Sequence, residues 1–219
     1  MVQSIFAWLD ERLDLTGIYT TVLDRKVPKV NWWFTLGSAS LFLGLLQGIT
    51  GILLSVYYVP TPDHAYDSIT YIMTGVQFGW LIRGLHHWGA SLLILTAFIH
   101  MLRVFFYGAY KYPREFTWIT GVVLLIGALG MGFTGYLLPW NQRSYWATTV
   151  GTEIAGTVPV VGNFILRVLR GGTDLSAVTL SRFYSLHIWF FPALIITAVL
   201  IHLYLIIRLG ISHIPEKDS

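Results

Sequence analysis

His86 and His100 lie fourteen residues apart in one apolar run, and His187 and His202 lie fifteen apart in another. Histidine can ligate a metal or carry a proton, and an ionisable group in an apolar run is costly unless it has such a task. An α-helix rises ~1.5 Å and turns ~100° per residue, so fourteen residues advance roughly 21 Å and return the side chain to within about 40° of its start. Fifteen residues give about 22 Å and a similarly small offset. Two facing helices of this kind would set His86 level with one member of the second pair and His100 level with the other. One such histidine could simply bond a neighbouring carbonyl, but four in two matched pairs argue for two stacked bis-imidazole sites. Zinc or copper is conceivable, yet two imidazoles with no carboxylate or thiol beside them suit the axial positions of a haem iron better than a tetrahedral ion.

The elements that carry these residues must sit in a membrane. Hydrophobic residues make up 55% of the 219, charged residues only 11%, and the mean hydropathy is +0.64, outside the range of ordinary water-soluble domains. Four runs exceed the ~20 residues that cross a hydrocarbon core: about 33–57, 80–107, 116–138 and 184–209. The expected fold is an all-α membrane protein, a bundle of four transmembrane helices binding two stacked b-type haems. With no cysteine in the chain, neither a thiolate site nor a thioether to a covalent haem is available. Residues 1–30 carry Ile5, Leu9, Leu13 and Ile18 between charged residues, which predicts an N-terminal helix lying along the interface. This start is unlike a signal peptide, so the N-terminus is expected to be retained. The polar connection from Pro139 to Arg182 predicts one or two short surface helices around Thr157–Phe164 and Leu166–Leu169.

Several residues fall where a haem would need them. Gly37 and Gly51 in the first run are fourteen apart, as are Gly121 and Gly135 in the third, and these runs carry no histidine. Glycine there would let a flat macrocycle press against helix backbone. Arg83 and Arg182 stand just before His86 and His187, while Arg103, Lys111 and Arg114 follow His100, so both ends offer cations to haem propionates. The second ring nitrogen of each ligand needs an acceptor, a helix carbonyl or a hydroxyl such as Thr134 or Ser38. His87 points about 100° away from His86 and misses the register, and His64 and His213 fall in polar end segments. With the N-terminus inside, Arg12, Arg25, Lys26, Lys29, Arg103, Lys111, Arg114, Arg208 and Lys217 face the cytoplasm, against Arg83, Arg143, Arg167, Arg170 and Arg182 on the other side.

The runs "FGWLIRGLHHWGASLLILTAFIHMLR", "YKYPREFTWITGV", "GFTGYLLPWNQRSYWA" and "TLSRFYSLHIWFFPALI" occur in that order. They resemble the cytochrome b subunit of quinol-oxidising cytochrome bc complexes. The fifteen-residue interval from His187 to His202 and the length of 219 residues resemble the short, split form, cytochrome b6, and the likeness covers nearly the whole chain as one N-terminal-type domain. It implies that His86 and His187 bind an outer haem b and His100 and His202 an inner one of higher potential. It implies too that Pro139, Trp140, Tyr145 and Trp146 line a quinol-oxidation pocket. Quinol oxidised there would send one electron to an iron-sulfur protein of the Rieske type and on to a cytochrome c-type acceptor, and the other inward through the haems, with protons leaving outside. Such a chain lies in a cytoplasmic or thylakoid membrane, in contact with lipid and within a dimeric complex, with no nucleic-acid partner.

The chain departs from that pattern in places. Thr35 stands where the short form usually has a cysteine that attaches a further haem. No "PEWY" run occurs, so a subunit IV-like chain carrying the second half of cytochrome b must supply it, and this chain alone should not turn over. Asn141 and Ile207 also differ from the common residues. Two other architectures share part of the pattern: the dihaem subunit of a membrane hydrogenase or formate dehydrogenase, and a haem-free scaffold or transporter whose histidines form a proton path.

Overall fold

The structure, a computed structural model, describes residues 2–20 and 31–212. The segment 21–30, with Arg25, Lys26 and Lys29, and the tail with His213 and Lys217 lie outside the described residues. Every regular element among those described is helical. Helices α1 (Val2–Leu13) and α2 (Leu15–Ile18) open the chain. On α1, Ile5, Trp8 and Leu13 are exposed and Arg12 lies over the Trp8 ring at 4.4 Å, the amphipathic surface expected of an interfacial helix.

Four helical stretches are long and apolar enough to span: Trp32–Ser55, Gly79–Phe106, Glu115–Leu137 and Ala177–Leu209. The first consists of a 3₁₀ turn, Trp32–Thr35, followed by α3 (Leu36–Ser55), and the second and third are α5 (Gly79–Phe106) and α6 (Glu115–Leu137). The fourth is built in three pieces. Helix α9 (Ala177–Ser185) leads into a π-helical turn, Leu186–Phe190, and then α10 (Phe191–Leu209). The π turn contains His187 and inserts one residue into the helical register. That insertion explains why this span separates its histidines by fifteen residues where α5 uses fourteen: both intervals then cover the same number of α-helical steps.

Between the first two spans the chain forms α4 (Ala65–Thr74), an element the hydropathy of the sequence does not announce. The long connection after α6 holds α7 (Gln142–Gly156) and α8 (Gly162–Arg170), so it is more helical than its composition suggests, and Thr157–Val161 is the link between the two. Asn141 caps α7: its Oδ1 accepts from the Ser144 N–H at 2.9 Å, while Ser144 Oγ accepts from the Asn141 N–H at 3.0 Å. The residue that departs from the family pattern is therefore a good N-cap. Glycine is required at Gly171, where φ of 79° ends α8 in the left-handed region.

Packing is closest between α3 and α5 and between α6 and α10, and the two pairs meet along α5 and α6. Helices α5 and α10 stand apart, with almost no close backbone approach among the described residues. The compact apolar core lies at one end, under the surface helices, where Tyr58, Ala65, Leu137, Leu175, Leu180 and Phe183 cluster. The Arg170 guanidinium is buried beside it, bonding Thr152 Oγ1 at 2.7 Å, the carbonyls of Thr149 and Thr173 at 2.8 Å, and Glu153 at 2.9 Å.

Candidate haem-binding site

His86 on α5 and His187 in the π turn face each other across the gap between α5 and α10, with ring centroids 6.3 Å apart and planes at 75°. Two metal–nitrogen bonds of ~2.0–2.1 Å plus the distance from each Nε2 to its ring centre, about 1.1 Å, bring two axial imidazoles to roughly this separation. Along the same two helices, His100 and His202 form a second pair, close enough to interact electrostatically. Among the described residues no three metal-binding side chains gather in one place. Two ligands at a level suit a metal whose remaining positions a macrocycle fills.

The rings are oriented from behind. Thr50 Oγ1 lies 2.9 Å from His86 Nδ1, Thr120 Oγ1 2.8 Å from His202 Nδ1, and Thr134 Oγ1 3.2 Å from His187 Nδ1. Each hydroxyl already donates to the carbonyl four residues earlier: Leu46, Phe116 and Gly130. Its free lone pair must accept from Nδ1–H. This fixes the tautomer and leaves the Nε2 lone pair for a metal. Of the acceptors considered from sequence, Thr134 does bond a histidine, whereas Ser38 donates to the Thr35 carbonyl at 2.8 Å. Thr50 and Thr120 are missed by the sequence reading. Their signal is the Thr-Gly dipeptide within an apolar run, as at Thr50-Gly51, Thr120-Gly121 and Thr134-Gly135; the two further copies, Thr16-Gly17 and Thr74-Gly75, fall outside the spans.

The four glycines stand against the histidines themselves. A Cβ at Gly51 would lie 3.2 Å from His86 Cε1, at Gly37 3.2 Å from His100 Cε1, at Gly121 3.4 Å from His202 Cε1, and at Gly135 2.6 Å from His187 Cε1. Each glycine makes room for the imidazole presented by the neighbouring helix of its own pair. The room foreseen for a macrocycle is taken here first by the ligand ring.

At the end opposite the surface helices, Arg103 stacks 3.5 Å over Phe34 and 5.2 Å from Tyr107, and its Nε and Nη2 are buried without a hydrogen-bond partner among the described residues. Arg114 Nε is likewise buried and unpartnered, while its Nη2 donates to the Leu209 carbonyl at 3.4 Å. Buried guanidinium N–H groups without acceptors call for an anion, and carboxylates of a haem would answer. Lys111 is exposed in the turn joining α5 to α6. At the surface-helix end, Arg83 Nη1 approaches Met73 Sδ at 3.6 Å, and Arg182 Nη1 donates to the carbonyls of Arg167 and Val168. His87 is exposed, edge-on to Trp88 at 5.4 Å, and takes no part in either pair.

The aromatic residues after α6 gather at the same end. Trp140, in the left-handed region with φ of 47°, meets Tyr145 edge-on at 5.6 Å, and Tyr145 meets Trp146 at 5.3 Å. Next to Pro139, Trp140 borders an open cleft of about 530 Å³ together with Tyr66, Asn141, Gln142 and Arg143. Tyr66 and Arg143 are further cleft residues that the sequence alone does not single out.

Fold and site together define a multi-span helical membrane protein with paired histidines stacked along two helices. The family model described as Cytochrome b/b6/petB matches residues 22–210. A menaquinol:cytochrome c reductase cytochrome b subunit from Geobacillus thermodenitrificans is 42% identical, over 97% of this chain and 99% of its own length. Cytochrome b6 of Acaryochloris marina is 44% identical, over 96% and 99%. A chain of a solved "Hyperthermophilic respiratory Complex III" superposes with a TM-score of 0.87 at 35% identity, covering 97% of this chain, which spans 58% of that longer one. The chain belongs to the cytochrome b family, and with that membership goes b-type haem.

Proposed function

We propose that this chain is the dihaem cytochrome b subunit of a quinol-oxidising complex of the cytochrome bc or b6f type, holding one haem b between His86 and His187 near the outer surface and another between His100 and His202 near the inner one. When bound, haem b supplies reversible one-electron chemistry, and two at these levels carry charge across most of the bilayer. The observation that carries the reading is the 6.3 Å separation of the His86 and His187 rings, with His100 and His202 further along the same two spans close enough to interact electrostatically.

The chain's own groups act by holding and excluding. With His86 and His187, or His100 and His202, as its ligands, a haem held there would be closed to oxygen, and the chemistry it would supply is electron transfer. Thr50, Thr120 and Thr134 keep the Nε2 lone pairs aimed inward. Arg103 and Arg114, with Lys111 nearby, hold carboxylates at the inner end; Arg83 and Arg182 do so at the outer end. Gly37, Gly51, Gly121 and Gly135 let the rings recede far enough to leave the gap open. Pro139, Trp140, Tyr145 and Trp146 form one wall of an outer quinol pocket and keep water from it. A subunit IV-like chain completes that pocket, and a Rieske-type protein and a cytochrome c-type protein take the outward electron. The assembly is dimeric, sits in a cytoplasmic or thylakoid membrane with this N-terminus inside, and releases protons outside. Residues 1–219 act as one unit within it.

A direct test adds quinol to the purified complex. Reduction of the b-type absorbance, lost in His86→Leu, is the expected result. A spectrum indifferent to quinol in a haem-loaded complex would overturn the reading.

A further inference from the structure

The four candidate ligands are not held alike. His86, His187 and His202 each have an acceptor at Nδ1, the threonine hydroxyl one residue before the opposing glycine, and His187 also meets the Met131 carbonyl, four residues before its glycine, at 3.1 Å. His100 faces Gly37 at a similar distance, yet its Nδ1 is buried with no hydrogen-bond partner among the described residues. Neither a hydroxyl nor a carbonyl reaches it, for identifiable reasons. The residue before Gly37 is Leu36, which has no hydroxyl. The residue four before it, Trp33, belongs to the 3₁₀ turn Trp32–Thr35, so its carbonyl is out of α-helical register. Helix α3 begins too late, at Leu36, to copy the arrangement its own far half makes at His86.

A hydrogen bond donated by Nδ1–H raises the basicity of the ring, strengthens Nε2 as a ligand and stabilises the more oxidised metal. An imidazole without that bond is the weaker donor and favours the reduced metal. We propose that Leu36, with the 3₁₀ start of the first span, makes His100 the weak-donor ligand and thereby raises the reduction potential of the inner site. The inference rests on the two-haem reading given under Proposed function. Leu36 is a positioning residue: it acts through His100 by withholding a partner.

The experiment is an optical redox titration of the intact complex, with haem content measured on the same samples, for Leu36→Thr, Leu36→Val and Thr50→Val. Threonine at 36 restores the hydroxyl, and valine reproduces its shape without it. Leu36→Thr should make the inner site harder to reduce, changing its oxidised-to-reduced ratio about tenfold at a fixed potential, a shift of ~59 mV for one electron. The outer site should stay in place, and Leu36→Val should move neither. Thr50→Val removes the hydroxyl from His86 and should raise the outer site alone. Equal inner potentials in the threonine and valine variants, or equal shifts at both sites, would overturn the proposal. If Leu36→Thr does not assemble, Thr50→Val decides: an outer potential unmoved by loss of the hydroxyl refutes the mechanism. Absence of two haems in the unmutated complex would instead refute the reading beneath it.

Discussion

Replacing Gly135 by alanine adds one methyl group at the tightest point behind an outer ligand. That Cβ would lie 2.6 Å from His187 Cε1, 3.1 Å from Nδ1 and 3.3 Å from Nε2. Non-bonded carbons settle at about 3.5 Å or beyond, so the ring would have to retreat by roughly 0.9 Å. It has little freedom to do so. Thr134 Oγ1 and the Met131 carbonyl hold its Nδ1, and the π turn fixes its backbone. A metal site tolerates shifts of about 0.2 Å in ligand distance. Moving α6 instead would disturb its packing on α10 at an overpacking cost of about 1–3 kcal/mol. The other glycines form a graded series: 3.2 Å at Gly37 and Gly51, and 3.4 Å at Gly121, an ordinary contact. Gly135→Ala should therefore lose most of the outer haem, Gly37→Ala and Gly51→Ala should lose part of theirs, and Gly121→Ala should keep it. Haem per polypeptide, with redox titration to identify the missing site, reads the order. Full haem content and an unshifted outer site in Gly135→Ala would refute the reasoning, as would equal losses in Gly121→Ala and Gly135→Ala.

Other perturbations are equally specific. His202→Leu should remove the inner haem and spare the outer, halving haem per chain; loss of both, or of neither, contradicts the pairing. Arg170→Ala strips a buried guanidinium from Thr152, Thr149, Thr173 and Glu153 and should cost about 3 kcal/mol, seen as a lower melting temperature in detergent. Glu153→Gln, at a mostly exposed partner, should cost less than about 1 kcal/mol by the same measurement. Burial, and then neighbouring Tyr184, raise the pKa of Tyr58, whose hydroxyl donates to the Leu138 carbonyl at 2.7 Å. A raised folded pKa stabilises the protein below the unfolded value of about 10 and loses that contribution as pH climbs toward the folded value. Unfolding followed through this range should show an alkaline decline that Tyr58→Phe reduces.

The histidine spacing makes legible which rings face each other, His86 with His187 and His100 near His202, because α-helical geometry converts fourteen residues into one height and one face. Hydropathy places three spans to within two residues and the end of the fourth, because a membrane imposes length and composition together; the fourth helical stretch begins earlier than expected, at Ala177, where the polar α9 leads into it. Where the reading fell short, the cause was local. An extra residue between His187 and His202 is visible in the count, but only the fold shows that a π turn absorbs it. The glycines were noticed for their interval, yet their neighbours are imidazoles, since which helix pairs with which cannot be read along one chain. Thr50 and Thr120 escaped because a threonine in an apolar helix carries no signal until its dipeptide is set beside the others. Helices α4 and α7 are short or polar, and the faces they bury, Ala65, Ser68 and Ile72 on α4 and Ser144, Thr148 and Thr152 on α7, carry little hydropathy signal.

The central claim is that α5 and α10 present imidazoles in register at two heights, each pair clamping one haem. Protohaem extracted from the purified complex and counted against this polypeptide tests it most directly, together with the spin state of the iron. Two protohaems per chain, both low-spin with an imidazole on each face, are the expected result. One protohaem per chain, or a high-spin site open to carbon monoxide, would contradict it.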